Sequence, residues 1–134
     1  MKPIYLKIEG LHSFQERQEV DFVKLCEMGT FGIFGPTGSG KSTVLDAITL
    51  ALFGKVERAL RNTQGIINHN SNELYVSFTF QLSSKFTVER KYKRTGENTV
   101  AASSCRLIEI NNRLEKVIAD KAKDIDQDII KILG

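Results

Sequence analysis

The sequence predicts an α/β fold built around a phosphate-binding loop, and three consecutive features carry that prediction. Residues 31–34 are apolar at each position that has a side chain, as expected of a buried strand. Residues 35–42 form a glycine-rich run that ends in Gly-Lys-Ser, and residues 42–53 then read as an apolar helix. Strand, loop and helix in this order are the P-loop NTPase arrangement.

Each residue type in the loop has a physical task. Glycines at 35, 38 and 40 let the backbone turn sharply and approach an anion closely. The N–H groups at the following helix N-terminus favour negative charge. Lys41 is expected to reach the β- and γ-phosphates of ATP, and the Ser42 hydroxyl to ligate Mg²⁺. The predicted nucleotide-binding residues are Gly35, Pro36, Thr37, Gly38, Ser39, Gly40, Lys41, Ser42 and Thr43.

Length and composition indicate one soluble globular domain, or part of one. The chain has 134 residues and a net charge of +3, which is too small to identify a nucleic-acid binder by itself. Cys26 and Cys105 lack ligand-like spacing and are expected to be reduced, as in a cytoplasmic protein. The N-terminus lacks the apolar core of a signal peptide, and no apolar run is long enough to span a bilayer.

Before the loop, hydrophobic alternation predicts a half-exposed strand at residues 3–9. Residues 18–22 are predicted to pair with it as an antiparallel second strand. The helix after the loop has an apolar surface wider than one stripe, so it should pack on two sides and end at Gly54.

After the helix, the pattern predicts a hairpin-rich region closed by a second helix. The predicted segments are an irregular stretch at 55–72, strands at 75–80, 86–92, 104–110 and 113–118, and a helix at 122–133. The domain thus divides into the loop strand and helix (31–54), an antiparallel region (74–118) and a closing helix (121–133).

The segment at residues 31–54 also carries a family resemblance. It reads FGIFGPTGSGKSTVLDAITLALFG and resembles the N-terminal half of SMC-like DNA-repair ATPases. The specific part is Gly-Pro-Thr-Gly in the loop, followed by Leu-Asp-Ala-Ile and an aromatic residue before glycine. Residues 6–14, which lead into the strand around residues 20–22, resemble the same family, and residues 76–80 followed by 88–90 show a weaker similarity in the expected order.

This resemblance implies the N-terminal half of an ABC-type ATPase head, with a mixed sheet, a P-loop helix and an antiparallel β-subdomain. In that family a long antiparallel coiled coil separates the two halves of the head. The implied partners are the C-terminal half of the same protein, a second head in a homodimer, a separate nuclease subunit and double-stranded DNA, with no membrane. The resemblance also implies that ATP-driven engagement of two heads regulates the nuclease, which would process DNA ends and hairpins.

The sequence does not contain the second set of motifs that the resemblance implies. The signature motif, Walker B strand, D-loop and switch histidine are absent, and the Q-loop is expected just beyond residue 134. Hydrolysis requires positioned water, fully coordinated Mg²⁺ and stabilised transition-state charge. The chain therefore reads as a fragment that binds ATP weakly or not at all and does not hydrolyse it alone.

Further residues have two open interpretations. His12 and Ser13 occupy the place of the family's Asn-Phe-Arg-Ser segment, so they either contact nucleotide or form an ordinary turn. Arg58 and Arg61, with Asn62, either face nucleotide in the assembled head or lie in a solvated loop.

A basic cluster on the first hairpin also has two interpretations, which are contact with DNA phosphates and protection of a strand edge. Its members are Lys85, Arg90, Lys91, Lys93 and Arg94. His69 stands among asparagines without a second ligand at useful spacing, and it is expected to be a solvated loop residue rather than a metal ligand.

Two other function classes stay open at this point. One is a P-loop protein of a different type, such as a transport ATPase or a small-molecule kinase. The other is an inert folding half that needs its C-terminal half to complete the sheet, in which case the isolated chain should fold incompletely or self-associate.

Overall fold

A computed structural model describes residues 1–11, 16–27, 41–56, 66–68, 70–96 and 99–133. Within these ranges the chain forms strands and helices in mixed order. They are β1 (Lys2–Glu9), β2 (Gln18–Asp21), α1 (Phe22–Glu27), α2 (Lys41–Phe53), β3 (Glu73–Gln81), β4 (Lys85–Arg94), β5 (Val100–Asn111), β6 (Leu114–Ala119) and α3 (Ala122–Leu133). The strand predicted at residues 31–34 lies outside the described residues.

The strands form one antiparallel sheet in the order β2-β1-β3-β4-β5-β6. The predicted pairing of the first two strands is confirmed, with Leu6 opposite Val20. The predicted hairpin is confirmed as well, with Phe78 opposite Val88. β1 also pairs with β3. The antiparallel region and the N-terminal strands therefore belong to the same sheet.

Several element boundaries differ from the prediction, the largest difference being the start of β5 at Val100 rather than at residue 104, and two of them have local reasons. Phe22, predicted to end a strand, begins α1 instead, because the Asp21 carboxylate accepts a hydrogen bond from the Lys24 backbone N–H at 3.1 Å and caps the helix. Asn112 and Arg113 both have positive φ, 51° and 68°, as in the tight turns that join antiparallel strands. The strand predicted from residue 113 thus begins at Leu114.

Alternation along β3 divides the sheet into two faces. The helix face carries the buried side chains Leu74, Val76, Phe78 and Phe80 and packs against α2. Phe80 stacks on Phe78 and on Phe86, with ring centroids 5.6 Å and 5.7 Å apart. The opposite side, which we call the open face, carries the intervening residues of each strand, among them Tyr75.

Both longer helices form where they are predicted. α2 packs on β1, β3 and β4 on one side and contacts α3 on another. α3 buries Ile125 and Ile129, which lie about one helical turn apart, and leaves Ile130 exposed. Among the described residues, no helix has the length and apolarity needed to cross a membrane.

Candidate phosphate-binding site

The first turn of α2 is formed by the last three residues of the predicted site, Lys41, Ser42 and Thr43. No acidic residue lies in that turn, so the positive end of the helix dipole is not neutralised by a carboxylate of its own. A first turn of this composition suits an anion. The other predicted site residues, Gly35, Pro36, Thr37, Gly38, Ser39, Gly40, His12 and Ser13, lie outside the described residues.

The body of α2 is held firmly on the sheet. Val44, Ala47, Leu50 and Ala51 are buried, and none is more than 4% exposed. Leu45 is 57% exposed, so the apolar surface of the helix is only partly covered by the described residues. The helix that would carry the phosphate site is therefore fixed from one side by the hydrophobic core.

The C-terminal end of α2 closes at Gly54, as predicted. Gly54 has φ of 72°, and its N–H donates to the Leu50 carbonyl at 2.8 Å. This left-handed residue satisfies one of the last helical carbonyls. A Cβ at this position would lie 3.0 Å from Nη1 of Arg90, so the glycine also makes room for that side chain.

Arg90 binds two further carbonyls at this end of α2. Its Nε donates to the Ala51 carbonyl at 2.8 Å, and its Nη2 donates to the Leu52 carbonyl at 3.3 Å. The same Nη2 forms an ion pair with Oδ1 of Asp126 on α3, also at 2.8 Å. Arg90 thus joins β4, α2 and α3 through one guanidinium group.

The assignment of Arg90 to an exposed basic cluster is wrong, since its side chain is only 3% exposed. A signal for this was present in the sequence. Arg90 alternates in phase with the apolar residues Phe86, Val88 and Tyr92, and this period places it on the helix face. A charge placed there must have partners.

Arg94 is also a structural residue rather than a free phosphate ligand. Its Nη2 donates to the Asn68 carbonyl at 2.8 Å and to the Ser71 carbonyl at 3.0 Å. It therefore holds the described part of the irregular segment against the end of β4. The edge-protection interpretation of the cluster is wrong too, because β4 lies between β3 and β5.

The lysines of the cluster remain accessible to different degrees. Lys91 and Lys93 are exposed, and Lys85 is half-buried. Lys91 lies 5.7 Å from the centroid of the Tyr75 ring, which Arg17 approaches to 5.1 Å. Burial, followed by the charge of Glu89, raises the pKa of Tyr75. The open face thus presents an aromatic ring between two cations.

The chain that leads to His12 and Ser13 is firmly anchored. Leu11 is buried and forms a β-bridge with Ile67, and the Gly10 carbonyl accepts from the Asn68 N–H at 2.7 Å. Gly10 has φ of 78°. The segment between residues 66 and 68 therefore packs against the strand end that precedes the two candidate residues.

The remaining candidates bear less on the site. Cys105 is a free thiol whose pKa is raised by burial. Cys26 belongs to α1. Four further candidates, namely Arg58, Arg61, Asn62 and His69, lie outside the described residues.

The whole chain is similar to proteins that are already known. A family model described as AAA domain matches residues 5–134. The SbcC subunit of the SbcCD nuclease from Bacillus subtilis (strain 168) is 54% identical over all of this chain, which covers 12% of that relative. The SbcC subunit from Clostridium acetobutylicum is 43% identical over the same shares of the two chains.

Among solved structures, the SMC head domain from Thermotoga maritima matches with a TM-score of 0.53 and 26% identity. The match covers 96% of this chain and 42% of that one. The predicted fold class, a P-loop ATPase head of the N-terminal type, is confirmed by these similarities, and so is the resemblance to SMC-like DNA-repair ATPases. The chain spans about an eighth of the length of its curated relatives. With the family match extending over residues 5–134, the chain belongs to the AAA domain family of P-loop ATPases.

Proposed function

We propose that residues 1–134 form the ATP-binding N-terminal part of the head of a DNA-repair ATPase. Its expected partners are the C-terminal half of the same protein, a second head, an SbcD-type nuclease subunit and double-stranded DNA. The similarity to the SbcC subunit of the SbcCD nuclease supports this assignment over a transport-type ATPase.

The observation that carries the proposal is the position of Lys41 and Ser42 in the first turn of a helix. α2 begins at Lys41, and its first turn has no acidic residue. Unpaired N–H groups at that end attract phosphate. Lys41 would contact the β- and γ-phosphates and Ser42 would hold Mg²⁺, which neutralises phosphate charge when it is bound.

Hydrolysis requires residues beyond those of this chain. A water-positioning group and a second source of transition-state charge stabilisation are needed, and the sequence contains neither the Walker B nor the signature motif. We therefore assign to this chain the binding of nucleotide phosphates, and to the assembled heads the hydrolysis that regulates the nuclease.

A calorimetric titration with Mg-ATP tests the binding role in the protein at its natural length, and the same titration of residues 1–134 alone should show weak binding or none. Lys41→Ala should abolish saturable binding. Lys55→Ala removes an exposed lysine just beyond the other end of α2 and should leave binding unchanged. Equal affinity of the Lys41→Ala variant and the wild type would refute the assignment.

Contact with DNA is proposed for the open face, on the basis of its exposed lysines. Lys91 and Lys93 point away from the buried Arg90, so their removal leaves the core intact. If both contact phosphates, the double alanine variant should flatten the slope of log affinity against log salt by about 1.8, or about 0.9 for each contact.

The matched control is Lys116→Ala together with Lys123→Ala, which removes the same charge from β6 and α3. It should leave the slope closer to that of the wild type. An unchanged slope in the Lys91 and Lys93 variant would exclude DNA contact by this part of the open face.

A further inference from the structure

The side chain of Arg90 links the two helices at the end of α2 that lies opposite the proposed phosphate site. We infer that Arg90 and Asp126 couple α2 to α3, so that nucleotide bound at the N-terminus of α2 changes how firmly α3 is held. The inference rests on the proposed nucleotide binding. It assigns Arg90 and Asp126 as positioning residues for that site and α3 as the element that responds to it.

We expect α2 to transmit a displacement along its length. It is a helix of 13 residues, about 20 Å long at 1.5 Å per residue, and its buried face is closely packed. A shift at its first turn, when phosphate groups bind, therefore reaches its last carbonyls with little loss. Those carbonyls, of Ala51 and Leu52, accept from Arg90.

The ion pair between Arg90 and Asp126 is sensitive to small displacements of α2. The Arg90 Nη2 is shared between the Leu52 carbonyl at 3.3 Å and the Asp126 carboxylate at 2.8 Å. Hydrogen bonds of this kind weaken beyond about 3.2 Å. A shift of a few tenths of an ångström at the end of α2 therefore changes how strongly this nitrogen binds the Leu52 carbonyl of α2 relative to the Asp126 carboxylate of α3.

The two charges of this ion pair are unequally exposed. Arg90 is 3% exposed, whereas the Asp126 side chain is 45% exposed. Asp126 can exchange Arg90 for water, but Arg90 has little access to water and keeps its carbonyl partners. The bond to Asp126 is therefore the one that changes, and α3, which carries Asp126, responds.

The test is amide hydrogen exchange of α3 in the protein at its natural length, with and without Mg-ATP. In the wild type, Mg-ATP should change the exchange rates around Ile125 and Ile129 at least about fivefold, the lower end of ordinary coupling between sites. Lys41→Ala should remove this change.

Asp126→Asn should retain saturable, Lys41-dependent ATP binding but lose most of the response in α3. Asp128→Asn removes the same charge two residues further along α3 and should keep the response. By linkage, Asp126→Asn should also shift the ATP affinity by the factor that the exchange rates report. If Asp126→Asn does not fold, Asp126→Glu serves instead, because it keeps the charge and displaces the carboxylate.

The outcomes separate the two ideas. If the wild type shows no Lys41-dependent ATP binding, the proposed function fails and this inference falls with it. If binding is Lys41-dependent but α3 exchange is unaffected, or responds equally in the Asp126 variant, nucleotide binding stands and the coupling is refuted.

Discussion

Replacing Gly54 by alanine tests how rigidly Arg90 is held at the end of α2. A non-glycine residue in the left-handed region is disfavoured by roughly 1–2 kcal/mol. The added Cβ would lie 3.0 Å from Nη1 and 3.4 Å from Cζ of Arg90, so the guanidinium must move by a few tenths of an ångström.

That movement has an energetic consequence because Arg90 is fixed by three acceptors. Misaligning one hydrogen bond of a charged donor removes about 1.5 kcal/mol. Because alanine has less conformational freedom than glycine in the unfolded chain, the substitution also stabilises the folded state by about 0.4–1 kcal/mol. We expect Gly54→Ala to lower the free energy of unfolding by about 2 kcal/mol in total, which corresponds to a fall in Tm of roughly 6–8 °C.

The assay is urea unfolding followed by circular dichroism, with two comparison variants. Gly96→Ala is the comparison: among the described residues its Cβ would meet the exposed Thr99 side chain, 2.6 Å from Oγ1, and since that side chain can turn into solvent the change in stability should be less than about 1 kcal/mol. Asparagine tolerates the left-handed backbone better than alanine but carries the same Cβ. Gly54→Asn therefore separates the cost of the backbone conformation from the cost of the contact with Arg90. A Gly54→Ala variant as stable as the wild type would refute the rigid placement of Arg90.

Three further predictions follow from the packing and the electrostatics. Gly10→Ala places a Cβ against the backbone carbonyl of Glu73 at a φ of 78°, so we expect loss of soluble folded protein, measured by expression yield and circular dichroism. Phe78→Ala empties the centre of the aromatic stack and should lower the free energy of unfolding by about 3–5 kcal/mol in urea titrations. Burial raises the pKa of Cys105, so less of the reactive thiolate is present at a given pH. In a Cys26→Ser background, alkylation of Cys105 at pH 8 should therefore be slower in the folded protein than in an unfolded control. Equal rates would contradict this. Because the folded-state pKa of this thiol is raised, its contribution to stability is present below the ordinary value of 9.0 and is lost as pH rises through the folded-state pKa.

Much of the fold follows from periodicity in the sequence. β3 and β4 alternate cleanly and are long, so their hairpin and register could be predicted. α3 has its apolar residues at helical spacing, and its bounds match the prediction. The short helix α1 was missed because it depends on one capping side chain, Asp21, immediately after a strand.

The candidate site could be predicted only in part. The phosphate loop is defined by local sequence, so the position of Lys41 at the start of a helix follows from the motif. The roles of Arg90 and Arg94 could not be read from charge alone, because their partners are backbone carbonyls far away in the sequence. Only the phase of the alternation distinguished Arg90 from its lysine neighbours.

That phase separates two roles along β4. Arg90 lies on the helix face and binds carbonyls at the end of α2, while Lys91 and Lys93 lie on the open face, away from the helices. The residue at 90 must be arginine for this arrangement, since its planar group donates to two carbonyls and a carboxylate at once, which the single nitrogen of lysine cannot match in geometry. Substitution of Arg90 should therefore alter the nucleotide site without changing the exposed lysines. Substitution of Lys91 or Lys93 should change the open face and leave the nucleotide site unaltered.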